Sequence, residues 1–385
     1  MMHRSIAASL MRGGTSKGVF VAEQDLPPAG AVRDAFILEL LGSPDPMQID
    51  GLGGTHSSTS KLMAVAPSTE PGLDVEYLFA QIAVDRPVVD YGGNCGNLTA
   101  AVGQYALAER LVSAVDPMTT VRMLNRNTGV VVHARVPVEK GQPREDGDHR
   151  IAGVPNPGAE IVTEYRDPGG SVFGRVLPTG NAVDTVETPH ERVACSVVDV
   201  TNPLVFVLAS DMGLEGDAVP DEVNADKDLL ARLEAVRGAC AVRLGLVDRA
   251  EKAVQVTPGI PKLALVAPPR AYTTSTGDEV SAEQIDILAR VMSVQKMHHA
   301  FALTGVMCTA AASLLPDTIP GQVATTGFPE GTVRLGHPKG VTSASVTLDG
   351  GTDDVAVTST CVTRTARRLM RGEAFVPGRY AETTS

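Results

Sequence analysis

The chain carries a partial copy of itself, and that limits its folds more than any other feature. Thr15-Ser-Lys-Gly-Val-Phe-Val21 and Thr201-Asn-Pro-Leu-Val-Phe-Val207 agree at Thr, Val, Phe and Val, 186 residues apart. Lys61-Leu-Met-Ala-Val-Ala-Pro67 is echoed by Lys262-Leu-Ala-Leu-Val-Ala-Pro268, 201 apart. Thr99-Ala-Ala101 returns as Thr309-Ala-Ala311, and Val121-Arg122 as Val333-Arg334, 210 and 212 apart. Four echoes in one order, with slowly rising separation, indicate a duplicated domain rather than a solenoid. A chain of 385 residues has room for two such units, expected at 1–185 and 186–385. Two like halves usually enclose a cleft that takes ligands.

The net charge of −12 argues against nucleic acid or an anionic membrane surface as partner. An anionic substrate would therefore need a locally positive site. Cys95, Cys195, Cys240, Cys308 and Cys361 are far apart, odd in number and lack a Cys-x-x-Cys, so neither a disulfide framework nor a zinc site is expected. No apolar run reaches membrane-spanning length. A cytoplasmic protein is the expectation, with a homodimer left open.

Residues 5–26 read as two strands about the turn Arg12-Gly-Gly-Thr-Ser-Lys-Gly18. That turn lacks the Gly-x-x-x-x-Gly-Lys spacing and precedes a strand, so it is no Walker loop. Residues 31–41 read as an amphipathic helix closed by Gly42-Ser-Pro44. The small polar run Asp50–Lys61 can lie flat along a ligand. It ends in Lys61, either a solvated strand end or a base in a pocket. Residues 121–138 are strand-like, with Asn125-Arg-Asn-Thr-Gly129 as their turn.

The apolar strand Tyr77–Val84 leads to Tyr91-Gly-Gly-Asn-Cys-Gly-Asn-Leu-Thr-Ala-Ala-Val102. A helix is expected over 98–111, with Cys95 at or just before its first turn. N–H groups there lack intrahelical acceptors, and the dipole is positive. Such a place binds carboxylate and favours a thiolate. A glycine turn with a buried, inert thiol fits the same residues.

Met11-Arg-Gly-Gly-Thr-Ser-Lys-Gly18, Gln48-Ile-Asp-Gly-Leu-Gly-Gly54, Ser57-Ser-Thr-Ser-Lys61, Asn94-Cys-Gly-Asn-Leu-Thr-Ala-Ala101, Pro178-Thr-Gly-Asn181 and Gly336-His-Pro338 together resemble the PrpF family. That family includes 2-methylaconitate cis–trans isomerase, methylitaconate Δ-isomerase and 4-oxalomesaconate tautomerase. The resemblance implies an α/β, diaminopimelate epimerase-like fold: two pseudo-symmetric halves, each a curled, mostly antiparallel sheet around a central helix. It implies Lys61 and Cys95 as the reacting pair, no metal or organic cofactor, and a small anionic carboxylic acid as substrate.

The expected reaction moves a proton across an allylic unit beside carboxylates. A neutral Lys61 removes the proton, charge spreads into a dienolate, and a proton returns at the far carbon. Burial and a nearby Arg12 or Lys17 would depress the Lys61 pKa. Donors for the developing charge are the N–H groups of Gly96 and Asn97 and the hydroxyls of Thr15, Ser16, Ser57 and Ser58. Arg12 and Lys17 are either carboxylate partners or surface charges at a turn. Asn94 joins this set from its motif. Asn202, the duplicate of Ser16, joins it from the second half with Thr304 and Gly305. Cys95 is either a second acid/base or a donor that positions substrate.

In the second half Gly305 falls opposite Cys95, and Cys308 lies one helical turn further on. A two-thiol epimerase or racemase of amino or hydroxy acids is therefore the second reading, and a carboxylate-binding accessory protein the third. His298-His299 are adjacent and share no helix face, so they suggest no metal site. His56 is a weaker acid/base candidate.

Overall fold

The computed structural model describes residues 4–350 and 355–378. Its main elements, in chain order, are β1 Arg4–Gly13, β2 Ser16–Ala22, α1 Ala31–Leu41, β3 Lys61–Pro67, β4 Val75–Ile82, α2 Gly96–Ala108, β5 Met118–Asn125 and β6 Val131–Glu139. Then follow β7 Arg192–Val200, β8 Asn202–Leu208, α3 Lys227–Arg243, β9 Lys262–Ala267, β10 Ile287–Ser293, α4 Leu303–Ser313, β11 Thr332–His337, β12 Gly340–Asp349 and β13 Ala366–Val376.

The chain divides into two compact units, Met1–Thr163 with Thr363–Ser385, and Glu164–Val362. The expected single division at 185/186 differs from this in two ways: residues 164–185 belong to the second unit, and the tail returns to the first. β13 pairs antiparallel with β1, and its Ala374 and Val376 join Ile6 and Ala8 in one apolar cluster. Burying those side chains favours the return.

In the first unit β1 and β2 are antiparallel, β2 and β3 parallel, β3 and β4 antiparallel, β4 and β5 parallel, and β5 and β6 antiparallel. Successive side chains alternate between sheet faces. One face meets α1, where Phe36, Ile37, Leu40 and Leu41 pack with Val19, Val21, Leu62, Ala64 and Ile82. The other face wraps α2, buried from Gly96 to Leu107. A Cβ on Gly13 would meet the Asn97 carbonyl, one on Gly18 the Leu98 side chain, and one on Gly103 the Val136 and Ala134 side chains. Strands from both ends of the order thus touch one helix, which is possible only if the sheet curls.

The helix expected over 31–41 forms there and stops at Gly42, whose φ is 76°. The one expected over 98–111 begins earlier, at Gly96, and ends at Ala108. Gly96 and Asn97 read as turn residues in sequence but form the first turn, and Arg110 leaves the helix with a φ of 59°.

The second unit repeats the plan. β7 and β8 are antiparallel, β8 and β9 parallel, β9 and β10 antiparallel, β10 and β11 parallel, and β11 and β12 antiparallel. α4 is buried throughout, and α3 covers the apolar face of Val197, Val205, Val207, Leu263 and Leu265. The registers repeat as well. Val19 faces Leu62 in the first unit and Val205 faces Leu263 in the second. Val75 faces Met123, as Ile287 faces Leu335. The Thr99 hydroxyl donates to the Cys95 carbonyl, and the Thr309 hydroxyl to that of Gly305. Each echo read from the sequence therefore occupies the same place in its own unit.

Candidate active site

Cys95 is the N-cap of α2, and no side chain caps that end. The N–H groups of Gly96 and Asn97 in its first turn consequently lack intrahelical acceptors. The loop from Asp90 to Cys95 is short and glycine-rich, which lets the chain reverse directly onto the helix. Thr99 holds it from inside: its hydroxyl lies 3.1 Å from the Asn94 side-chain oxygen and 3.1 Å from the Tyr77 hydroxyl. Asn127, in the turn between β5 and β6, ties this loop to β4. Its amide donates to the carbonyls of Phe79 and Tyr91 at 2.8 and 2.9 Å and accepts from the Phe79 N–H at 2.8 Å.

The β1–β2 turn closes over the same helix end. Gly14 has a φ of 50°, and a Cβ there would stand 2.1 Å from the Asn97 side-chain oxygen. Only glycine permits both the left-handed backbone and this approach. Thr15 then accepts a hydrogen bond from the Asn97 amide at 3.1 Å, and the Cys95 thiol lies 3.8 Å from the Ser16 hydroxyl. The Asn97 oxygen also accepts from Arg364 Nε at 3.1 Å, a tail contact that sequence proximity could not suggest.

Lys61 opens β3 on the sheet face that meets α2 and is 8% exposed. Its Nζ donates to Gln81 Oε1 and lies 5.1 Å from the centre of the Phe79 ring. Burial pushes its pKa below that of an ordinary lysine, and the electrostatic interaction with nearby Cys95 partly opposes the shift. Gln81, directly across the ladder from Lys61, went unnoticed in sequence because twenty residues separate them. Strand alternation offered the only signal: once Lys61 and β4 are paired, a polar residue within an apolar strand must face it.

The polar run before Lys61 is held by its own backbone. The Ser57 carbonyl accepts from the Gln81 amide, and the Ser58 carbonyl from the Lys17 N–H at 2.9 Å. The Ser58 hydroxyl is 3.0 Å from His56 Nδ1.

The structure thus gathers Thr15, Ser16, Ser57, Lys61, Asn94, Cys95, Gly96 and Asn97 around the head of α2. Arg12 and Lys17 lie elsewhere. They are ladder partners on the opposite sheet face from Gly13, Ser16 and Lys61. Arg12 Nη1 donates to the carbonyls of Gly14 and Thr365 at 3.1 and 2.9 Å. Its guanidinium lines a cavity of about 400 Å³ with Glu145 and Arg367. Burial, then Arg367, lowers its pKa.

In the second unit Asn202 shares a sheet face with Leu204, which packs at Gly305 of α4. It is 1% exposed, and its Nδ2 has no partner among the described residues. The Thr201 hydroxyl reaches the Thr304 carbonyl at 2.9 Å. Cys308 is fully buried, donates to the Val198 carbonyl at 3.3 Å, and has its pKa raised by burial. Such a thiol is a packing group. The His298 and His299 rings stack at 4.6 Å, and no three potential metal ligands cluster among the described residues. None of the described helices is long and apolar enough to cross a membrane.

A sequence model of the family described as PrpF protein matches residues 3–377. The chain is 43% identical to 3-methylitaconate isomerase of Eubacterium barkeri, over 96% of this chain and 97% of that one. It is 40% identical to 2-methyl-aconitate isomerase of Shewanella oneidensis, over 97% of each. Against (4E)-oxalomesaconate Delta-isomerase of Novosphingobium sp. the identity is 39%, over 95% and 96%. The solved structure of a methylitaconate-delta-isomerase superposes with a TM-score of 0.80 at 42% identity, covering 98% of this chain and 97% of that one. A probable proline racemase shares the fold at 11% identity and a TM-score of 0.55, over 95% and 92%. Its fold, the duplicated register and the full-length match agree: the chain belongs to the PrpF family and is an isomerase.

Proposed function

We propose that this isomerase shifts a proton and a double bond, by cis–trans or 1,3-allylic isomerisation, in a small unsaturated di- or tricarboxylic acid, without a cofactor and with Lys61 as base. The methylitaconate, methylaconitate and oxalomesaconate isomerases among its relatives support this substrate class. The observation that carries the reading is the state of Lys61. It is buried, its pKa is depressed, and its hydrogen-bond partner is an uncharged amide. A lysine in this setting is neutral, and so free to take a proton, at a pH where one in water is still an ammonium.

Neutral Lys61 takes a proton from the allylic carbon, and the C–H electron pair enters a dienolate conjugated with a carboxylate. The uncapped N–H groups of Gly96 and Asn97 are suited to that charge. Reprotonation at the far carbon by the Lys61 ammonium completes the shift; where the Cys95 thiol gives that proton instead, the Lys61 ammonium proton then passes through solvent to the Cys95 thiolate and resets the pair. Rotation within the dienolate before the proton returns gives the cis–trans outcome. Neither route consumes a redox equivalent.

The test is incubation in D₂O with 2-methylaconitate, methylitaconate and 4-oxalomesaconate, followed by ¹H NMR. One acid should isomerise with deuterium entering the allylic position. Lys61→Ala should lose isomerisation and exchange together while remaining folded. Exchange no faster than in protein-free buffer for all three acids would sink the substrate class. Undiminished exchange in Lys61→Ala would sink the assignment of the base.

A further inference from the structure

The polar atoms around Lys61 single out one side chain to which the reaction itself gives no part. Gln81 lies opposite Lys61 in the β3–β4 ladder. Its Nε2 faces the carbonyls of Ser57, Ser60 and Ile82 at 3.1, 3.0 and 3.3 Å. Three carbonyls demand a donor, so the amide can present only its NH₂ there. Its oxygen is thereby turned toward Lys61 Nζ. The reversed amide would set an oxygen against three oxygens and a donor against the amine. The orientation follows from the network.

The Phe79 ring centre lies 5.1 Å from the amine. Nζ thus has an amide oxygen and an aromatic face as neighbours. An amide oxygen orients an N–H but brings no net charge. A carboxylate of the same shape would give the same bond and also hold the ammonium form. The glutamine therefore fixes the amine in place without cancelling the effect of burial. In the second unit the residue across the ladder from Lys262 is Ser293, one step beyond the Leu263–Met292 pair. A serine is too short for this role, and Lys262 Nζ donates instead to the Gly259 carbonyl at 3.0 Å.

We propose that Gln81 is the positioning residue of this site: its locked amide aims Lys61 and, being uncharged, keeps it able to take up a proton. This builds on the reading of Lys61 as base, but the coupling of the two side chains can be measured without substrate. Trace acetylation with acetic anhydride at a series of pH values, read at the Lys61 peptide by mass spectrometry, reports the pH at which the amine becomes reactive. In Gln81→Glu the midpoint at Lys61 should rise by about one pH unit or more, with the other lysines unmoved. A midpoint unchanged from wild type in folded Gln81→Glu overturns the proposal.

Should Gln81→Glu not fold, Gln81→Met, which keeps volume and loses the acceptor, decides. Its kcat per folded molecule on the acid that wild type turns over should fall by about tenfold or more with little change in KM. Wild-type kcat in Gln81→Met also overturns the proposal. If wild type turns over none of the acids, Gln81→Met is read by acetylation. A Lys61 peptide no more readily labelled than in wild type then counts against the anchor. Loss of the proposed reaction and loss of this coupling are thus separate results.

Discussion

The two units share a backbone plan and differ at two of three equivalent positions. In the first, Lys61, Gln81 and Cys95 stand on neighbouring elements; in the second, their counterparts are Lys262, Ser293 and Gly305. The helix ends differ too. Cys95 precedes α2 as its N-cap, whereas Gly305 is already the third residue of α4. α4 starts earlier relative to the shared register and so places helical backbone where α2 has the thiol, and a Cβ at Gly305 would press on the Phe301 ring. The lysine survives in both copies, yet Lys61 donates to the Gln81 amide beside the Phe79 ring, whereas Lys262 donates to the Gly259 backbone carbonyl. A retained residue type therefore says little about chemistry until its neighbours are known.

The largest effect that would break this comparison is on activity. Lys61→Ala should lower kcat by about 10² to 10⁴, the usual worth of a positioned general base. Lys262→Ala should cost no more than a few-fold. Equal losses in the two variants would show that the second copy also does chemistry.

Asn127 comes next. Asn127→Ala leaves the Phe79 N–H and the Phe79 and Tyr91 carbonyls without their side-chain partner. A loss of about 1–3 kcal/mol in urea unfolding is expected, with a fall in activity as the Cys95 loop loosens. An unchanged midpoint and rate would mean that water replaces the amide fully.

Gly14→Ala should be costly for a related reason. It forces a side chain into the left-handed region, worth about 1–2 kcal/mol, and displaces the Asn97 side chain. In the matching turn of the second unit the residue of positive φ is Thr201, which holds 58° with its hydroxyl bonded to the Thr304 carbonyl. Thr201→Gly should therefore be milder. If Thr201→Gly costs more than Gly14→Ala in thermal melts, hydroxyl bonding outweighs backbone strain in this turn.

The smallest effect concerns pH. The folded-state pKa of Lys61 is depressed, so between that value and the ordinary one, about 10.4, the unfolded chain binds more protons. Stability must then rise with pH through that window. Lys61→Met removes the penalty. It should be more stable than wild type below the window, and the advantage should shrink as pH climbs through it. Parallel curves for the two proteins would mean that burial leaves the Lys61 charge unpenalised.

Much of this was readable in the chain. The four echoes fixed the duplication because residues that fill equivalent core positions meet equivalent constraints. The Asn94–Ala101 segment marked a helix head because glycine and asparagine before an alanine run can do little else. Lys61 stood out as a charge at the lip of an apolar strand, at the end of a run of small polar residues. What pattern could not supply was orientation. Arg12 and Lys17 adjoin Thr15 and Ser16 in sequence, yet alternation turns them to the opposite face of the sheet. Gln81, Asn127 and Arg364 are remote in sequence, and only strand pairing and the returning tail bring them to Lys61, Phe79 and Asn97.

By itself, then, the sequence determined which elements form and which residue types can carry the chemistry, because propensity, periodicity and turn chemistry are local. Tertiary structure decided which of two equivalent lysines is buried beside an uncharged acceptor. That depends on ladder register and on what lies across the ladder, and no single segment of the chain contains both sides.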